Sequence, residues 1–174
     1  MIKPDNTLTC WGANWSGQTS VPAGLGGVRA VAAGDSHTCV VKLDGTVACW
    51  GNGFSGQTSV PAGLSGVIAL GAGNEHTCAM KSDNSMVCWG SQQFGQSSVP
   101  AGLGSVSAIA VGGSHTCALR TDGTATCWGR TTEGQVSAPA GTFTTLEAGG
   151  YFTCGIRNNG TLTCWGQNQY GQAN

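Results

Sequence analysis

A pair of cysteines set ten positions apart across a turn, repeated four times, constrains this chain more than any other feature. Cys-Trp-Gly begins at Cys10, Cys49, Cys88, Cys127 and Cys164, in steps of 39, 39, 39 and 37 residues. Cys39, Cys78, Cys117 and Cys154 keep the same steps, each ten positions before its partner. Asp44-Gly45, Asp83-Asn84, Asp122-Gly123 and Asn159-Gly160 occupy the turn between them, and Asp5-Asn6 stands in the same place before Cys10. A three-residue hairpin loop needs a residue tolerant of positive φ at its end, and Gly or Asn fills that slot each time. With Leu43-Asp44-Gly45 as the loop, Lys42 faces Thr46, Val41 faces Val47, Val40 faces Ala48 and Cys39 faces Cys49. A two-residue loop would set Cys39 opposite Trp50 instead. Turn chemistry and cysteine pairing therefore select one register.

The rest of the repeat reads as strands and turns. Thirty glycines, with Thr, Ser, Val and Ala in place of Leu, Lys and Glu, argue against helices. Val28 to Gly34 is an apolar run of small residues suited to a crowded inner strand, and Asp35-Ser36 turns the chain into His37-Thr38-Cys39. Val21 precedes Pro22 and is expected on an outer strand, because proline is tolerated only at a sheet edge or a strand end. An all-strand repeat of this period predicts a β-propeller with one four-stranded blade per repeat. The division is a half blade over 1–12, repeats over 13–51, 52–90, 91–129 and 130–166, and a partial unit over 167–174. The copy over 130–166 diverges: it is two residues shorter, Phe152 takes the histidine position, and Glu147 enters the inner strand.

Nine cysteines paired at matched hairpin positions read as disulfides and hence an oxidising compartment. The expected bridges are Cys39–Cys49, Cys78–Cys88, Cys117–Cys127 and Cys154–Cys164, with Cys10 free or linked between chains. Zinc is the competing reading, but no Cys-x-x-Cys pair exists and the three histidines sit elsewhere in the repeat. The partner of Cys10 would fall just before Met1. That suggests a truncated form, a cleaved product or an open end, and the absence of a signal peptide fits the same explanation. A net charge of −1 with 9% charged residues gives no electrostatic footprint for nucleic acid, and no apolar run has the length of a membrane span.

Gly-x-x-His-Thr-Cys, Asp-Gly-Thr, Cys-Trp-Gly and Gly-Gln resemble the repeat of the regulator of chromosome condensation family, and most of all its cysteine-bearing bacterial branch. The resemblance covers essentially the whole chain. It implies a propeller, commonly of seven blades, in a family that includes a nucleotide-exchange factor for a small GTPase and a secreted bacterial β-lactamase inhibitor. Four full repeats plus half of one leave ring closure within a single copy open. An incomplete ring or an oligomer whose copies cover the open blade edges is expected, with the oligomer preferred.

Residues identical in every repeat most simply serve the repeat. Trp11, Trp50, Trp89, Trp128 and Trp165 are expected to pack between blades. Gln18, Gln57, Gln96, Gln135 and Gln172 are expected to hydrogen-bond backbone. His37, His76 and His115 lie in successive blades with no nucleophile or carboxylate placed to complete a triad, so neither an enzyme nor a cofactor is expected. Asp44, Asp83 and Asp122 are turn formers in separate hairpins rather than a calcium set.

Positions that differ between repeats carry the functional reading. The turns on one face of the disc collect Trp15, Phe54, Phe94, Tyr151 and Tyr170 beside Asp35, Asn74, Glu75 and Glu133. Exposed aromatics ringed by polar groups make a contact surface. In the β-lactamase inhibitor of the resembled family, the target is met through aromatic and acidic loop residues of this kind. The leading reading is a secreted, non-enzymatic module that recognises a protein through this face. A lectin, in which rings stack on sugars, is the first alternative. A self-assembling propeller fragment is the second.

Overall fold

Each turn closes on an aspartate or asparagine that binds its own backbone. In the computed structural model, which describes residues 1–174, Asp44 Oδ1 accepts the Thr46 amide at 2.9 Å and the Thr46 hydroxyl at 2.6 Å. Asp122 and Asn159 repeat the arrangement with Thr124 and Thr161. Gly45, Asn84, Gly123 and Gly160 all have positive φ, as the three-residue loop demands. The register follows: Cys39 faces Cys49, Val40 faces Ala48 and Val41 faces Val47. All four expected disulfides form, with Cα atoms 4.0 to 4.1 Å apart, and Cys10 is free.

Four antiparallel sheets result. The first contains β1 (Val28–Ala33), β2 (His37–Lys42) and β3 (Val47–Gly51). The second contains β4 (Val67–Ala72), β5 (His76–Lys81) and β6 (Met86–Gly90). The third contains β7 (Val106–Val111), β8 (His115–Arg120) and β9 (Ala125–Gly129). The fourth contains β10 (Phe143–Ala148), β11 (Phe152–Arg157) and β12 (Leu162–Gly166). In each, the disulfide-bearing strand is central. Neighbouring sheets pack side by side through β1, β4, β7 and β10, as in a propeller arc. No helix is long and apolar enough to cross a membrane.

The blades are three-stranded, which corrects the expectation of four. Val21 and its equivalents lie in irregular chain rather than an outer strand. Proline at 22, 61 and 100 withholds an amide, and short turns such as Leu25 N to Pro22 O and Leu64 N to Pro61 O satisfy the segment internally. Its apolar residues still cover the sheets: Val21 and Leu25 pack on the first, Val60 and Leu64 on the second, Val99 and Leu103 on the third.

The core sits between blades. Trp89 packs on Val41 of the preceding sheet, Trp128 on Met80 and Met86, and Trp165 on Leu119. Each indole donates to a repeat-position glutamine carbonyl: Trp50 to Gln18, Trp89 to Gln57, Trp128 to Gln96 and Trp165 to Gln135, at 2.9 to 3.1 Å. Trp11 is the exception and is 71% exposed, so its expected packing is corrected. Before it, Met1 to Thr9 forms a small hairpin with Ile2 opposite Leu8, and Leu8 packs on Val28, Val40 and Trp50.

The histidines are interface residues. His37 Nε2 meets Thr77 Oγ1 of the next blade at 2.8 Å, His76 meets Thr116 at 2.9 Å, and His115 meets Thr153 at 2.8 Å. Thr77 and Thr116 spend their hydroxyl protons on the Gln57 and Gln96 carbonyls, so Nε2 must be the donor. That fixes the neutral tautomer and leaves Nδ1 bare, and it has no partner in any of the three. Burial without a second partner holds all three rings far below the usual imidazole range, at about 4. The glycine of Gly-x-x-His is required by close approach: a Cβ on Gly34 would stand 2.5 Å from the Gly73 carbonyl oxygen and against the His37 ring.

Candidate loop-face site

Pairing of His37 with Gly51 brings the β1–β2 turn beside the loop that leaves β3. Asn52 N donates to Ser36 O, and the later copies repeat this as Ser91 to Glu75, Arg130 to Ser114 and Gln167 to Tyr151. The turns that vary between repeats therefore share one end of the sheets. Within each loop the repeat glutamine accepts a backbone amide through its side chain. Gln18 takes Ser16 N, Gln57 takes Ser55 N, Gln96 takes Phe94 N, Gln135 takes Glu133 N and Gln172 takes Tyr170 N. This rigid hook turns the neighbouring side chains outward.

The candidate residues fall into separate groups. Trp15 and Phe54 are 93% and 99% exposed and flank a cleft of about 380 Å³ floored by Ser16, Gly51, Asn52 and Gly53. Phe94 and Tyr151 come together around a residue that the sequence reading passed over, Arg130. Its guanidinium carbon lies 5.6 Å from the Phe94 ring centre and 5.0 Å from that of Tyr151, within cation–π range of both. Arg130 Nε donates to Thr132 Oγ1 at 2.7 Å, and its Nη2 lies 3.7 Å from Glu133 Oε1. Glu133 thus belongs to this cluster. Asp35 and Asn74 line a shallow axial depression with the backbone of Gly34, Gly73, Gly112 and Gly149. Glu75 is exposed beside it, and Tyr170 stands apart, 89% exposed, in the last loop.

Arg130 had a visible signal. It follows Cys-Trp-Gly directly, where the other repeats place Ala13, Asn52, Ser91 and Gln167, in a chain poor in charge. The opposite end carries local pairs instead: Lys42–Asp44 at 3.7 Å, Lys81–Asp83 at 2.9 Å and Arg120–Asp122 at 3.5 Å. Hydroxyl and amide donors hold these turn aspartates below the usual carboxylate range, Thr46 for Asp44, Ser85 for Asp83 and Thr124 for Asp122. They are consumed by the turns.

The repeats now have a family. The profile described as the regulator of chromosome condensation (RCC1) repeat matches residues 28–57, 67–96, 106–135 and 143–172, more than half of the chain. The chain belongs to the RCC1 repeat family. No curated protein matches the sequence. Among solved structures, the ectodomain of the Physcomitrella patens receptor kinase CR4 is 28% identical, with a TM-score of 0.68 over 80% of this chain and 38% of its own. The ectodomain of the Arabidopsis thaliana receptor kinase ACR4 is 27% identical, with a TM-score of 0.65 over 83% of this chain and 52% of its own. Prp20p from Saccharomyces cerevisiae, at 22% identity and a TM-score of 0.72 over 80% of this chain and 45% of its own, shares the fold. The chain thus spans about half, or less, of the length of these structures. The three-stranded sheets are blades of an RCC1-type propeller, and their open sheet edges fit an incomplete one. Such a fold is a scaffold for protein binding.

Proposed function

We propose that this chain is a secreted, non-enzymatic binding module that recognises a protein partner through its loop face, with the Arg130 cluster as anchor. The observation that carries the reading is the Arg130 guanidinium held between Phe94 and Tyr151 and tethered by Glu133. Arginine and aromatic side chains fixed in place lose little freedom on binding and dominate the energetics of protein interfaces. Asp35, Asn74 and Glu75 supply a polar border. Four disulfides favour an oxidising compartment, and the CR4 and ACR4 relatives are receptor ectodomains. Chemical cross-linking of the chain to extracellular protein from its source, followed by the same capture with Arg130→Ala and Tyr151→Ala, tests the reading. Each substitution is expected to weaken capture by about tenfold or more with thermal stability unchanged. Equal capture by both variants would remove the site.

A second reading is favoured at the Trp15–Phe54 cleft, whose volume suits a single sugar ring between two aromatic walls. A glycan-array screen with Trp15→Ala as control separates it from the first. Self-association is favoured by the exposed ends of the arc, where Trp11 at one end and Ile156 and Leu162 at the other stand uncovered. Light scattering across concentration, with Leu162→Lys as control, tests that third reading.

A further inference from the structure

One interface of the arc has only one side. At the filled interfaces, the central strand of one blade presents His and Cys to a threonine of the next. His37 Nε2 and Cys39 Sγ both lie against Thr77 Oγ1, His76 and Cys78 against Thr116, and His115 and Cys117 against Thr153. Thr38 is the fourth member of this set. It is 6% exposed and donates to the Gln18 carbonyl at 2.8 Å, as its counterparts do to theirs. Its oxygen receives nothing in return. In front of it lies a groove of about 340 Å³ lined by Cys10, Trp11, Val31, Ala33, Gly34 and Thr38, among others.

The far wall of that groove is an unfinished sheet. In the first blade Cys49, Trp50 and Gly51 pair with Cys39, Thr38 and His37. The equivalent Cys10, Trp11 and Gly12 make no backbone hydrogen bond at all, although Thr9 just before them donates to Met1. Cys10 holds the only free thiol. An unpaired edge, a buried acceptor and a thiol thus face one cavity in the same relative positions that a His-Thr-Cys strand satisfies three times elsewhere.

We infer that this groove is an acceptor site for a β-strand carrying the family's Gly-x-x-His-Thr-Cys pattern, supplied by another polypeptide and secured by a disulfide to Cys10. The strand adds antiparallel to Cys10–Gly12, its histidine donates to Thr38 Oγ1, and its cysteine faces Cys10. An intact second copy is not the donor. Each of its own His-Thr-Cys or Phe-Thr-Cys strands is the central strand of a sheet, with both edges paired.

The probe is a synthetic peptide copying residues 28–42, with its cysteine carried as the mixed disulfide with glutathione. The Cys10 thiolate attacks the peptide sulfur, the peptide–glutathione S–S bond breaks, and the new Cys10–peptide S–S bond forms. Glutathione leaves as a thiolate and takes a proton, so no external oxidant is used. Templating is expected to make adduct formation about a hundredfold faster than with a scrambled peptide of the same composition. The expected adduct maps to Cys10, is lost in Cys10→Ser, and slows when the peptide histidine is replaced by alanine or when Thr38→Val removes the acceptor. A cysteine-to-serine peptide should still bind without the covalent bond, read by Trp11 fluorescence. Equal rates for native and scrambled peptides, or indifference to the histidine, would overturn the inference. So would a concentration-dependent dimer that blocks Cys10 before any peptide is added.

Discussion

The interfaces between blades and the loop face are made by the same repeats and obey opposite rules. At the interfaces every blade offers the same His, Thr, Trp and Gln, buried and bonded at matching distances. On the loop face no two repeats present the same side chains, and the largest of them stand in solvent. The contrast teaches where each residue's constraint comes from. An interface residue must fit a neighbour that is itself a copy, so it recurs. A loop residue hooked outward by the glutamine meets nothing in the molecule and is free to differ.

Acid should break the interfaces first. Each ring shifts from 6.5 to about 4, which is worth about 3 kcal/mol per histidine. The unfolded chain binds these protons below about pH 6.5 and the folded chain only near 4, so this contribution is complete above 6.5 and drains away as pH falls to 4. Asp35 partly opposes the shift at His37, whereas His76 feels His37 and His115 as well as burial. Urea midpoints taken between pH 7.5 and 4 should fall steeply. A flat profile would mean that Nδ1 has a partner and that the interfaces are not proton-sensitive.

A single interface ring should matter less than all three histidines together. Trp89→Ala removes a buried indole and its bond to Gln57, and should cost about 3 to 5 kcal/mol, read as a lower urea midpoint. Trp11→Ala is the internal control, because that ring is exposed and its loss should be within about 0.5 kcal/mol. Equal costs for the two would erase the distinction between filled and open interfaces.

The smallest effects belong to the loop face. Phe54→Ala and Trp15→Ala should change stability by less than about 0.5 kcal/mol. Tyr151→Ala should cost slightly more, since it also loses the Arg130 contact. A cost as large as that of Trp89→Ala would move these rings from the contact surface to the scaffold.

Much of this was legible in one dimension. The hairpin register, the four disulfides and the propeller arc follow from spacing, because a turn type and a cysteine pair each admit one alignment and the repeats agree. The glutamine hooks and the interfacial tryptophans follow from recurrence. The four-stranded blade did not hold, because a run with strand-like composition still fails to pair when its prolines withhold amides and its turns satisfy the rest. Three features were decided only by tertiary structure. Arg130 becomes a site residue because strands from two blades bring Phe94 and Tyr151 to either side of it. The histidines lose their basicity because the threonine that meets them has already given away its proton. Thr38 and Cys10 face one groove because Met1 to Thr9 folds back onto the first blade. Each is a relation between residues from different repeats, and a sequence read repeat by repeat contains the residues without the relation.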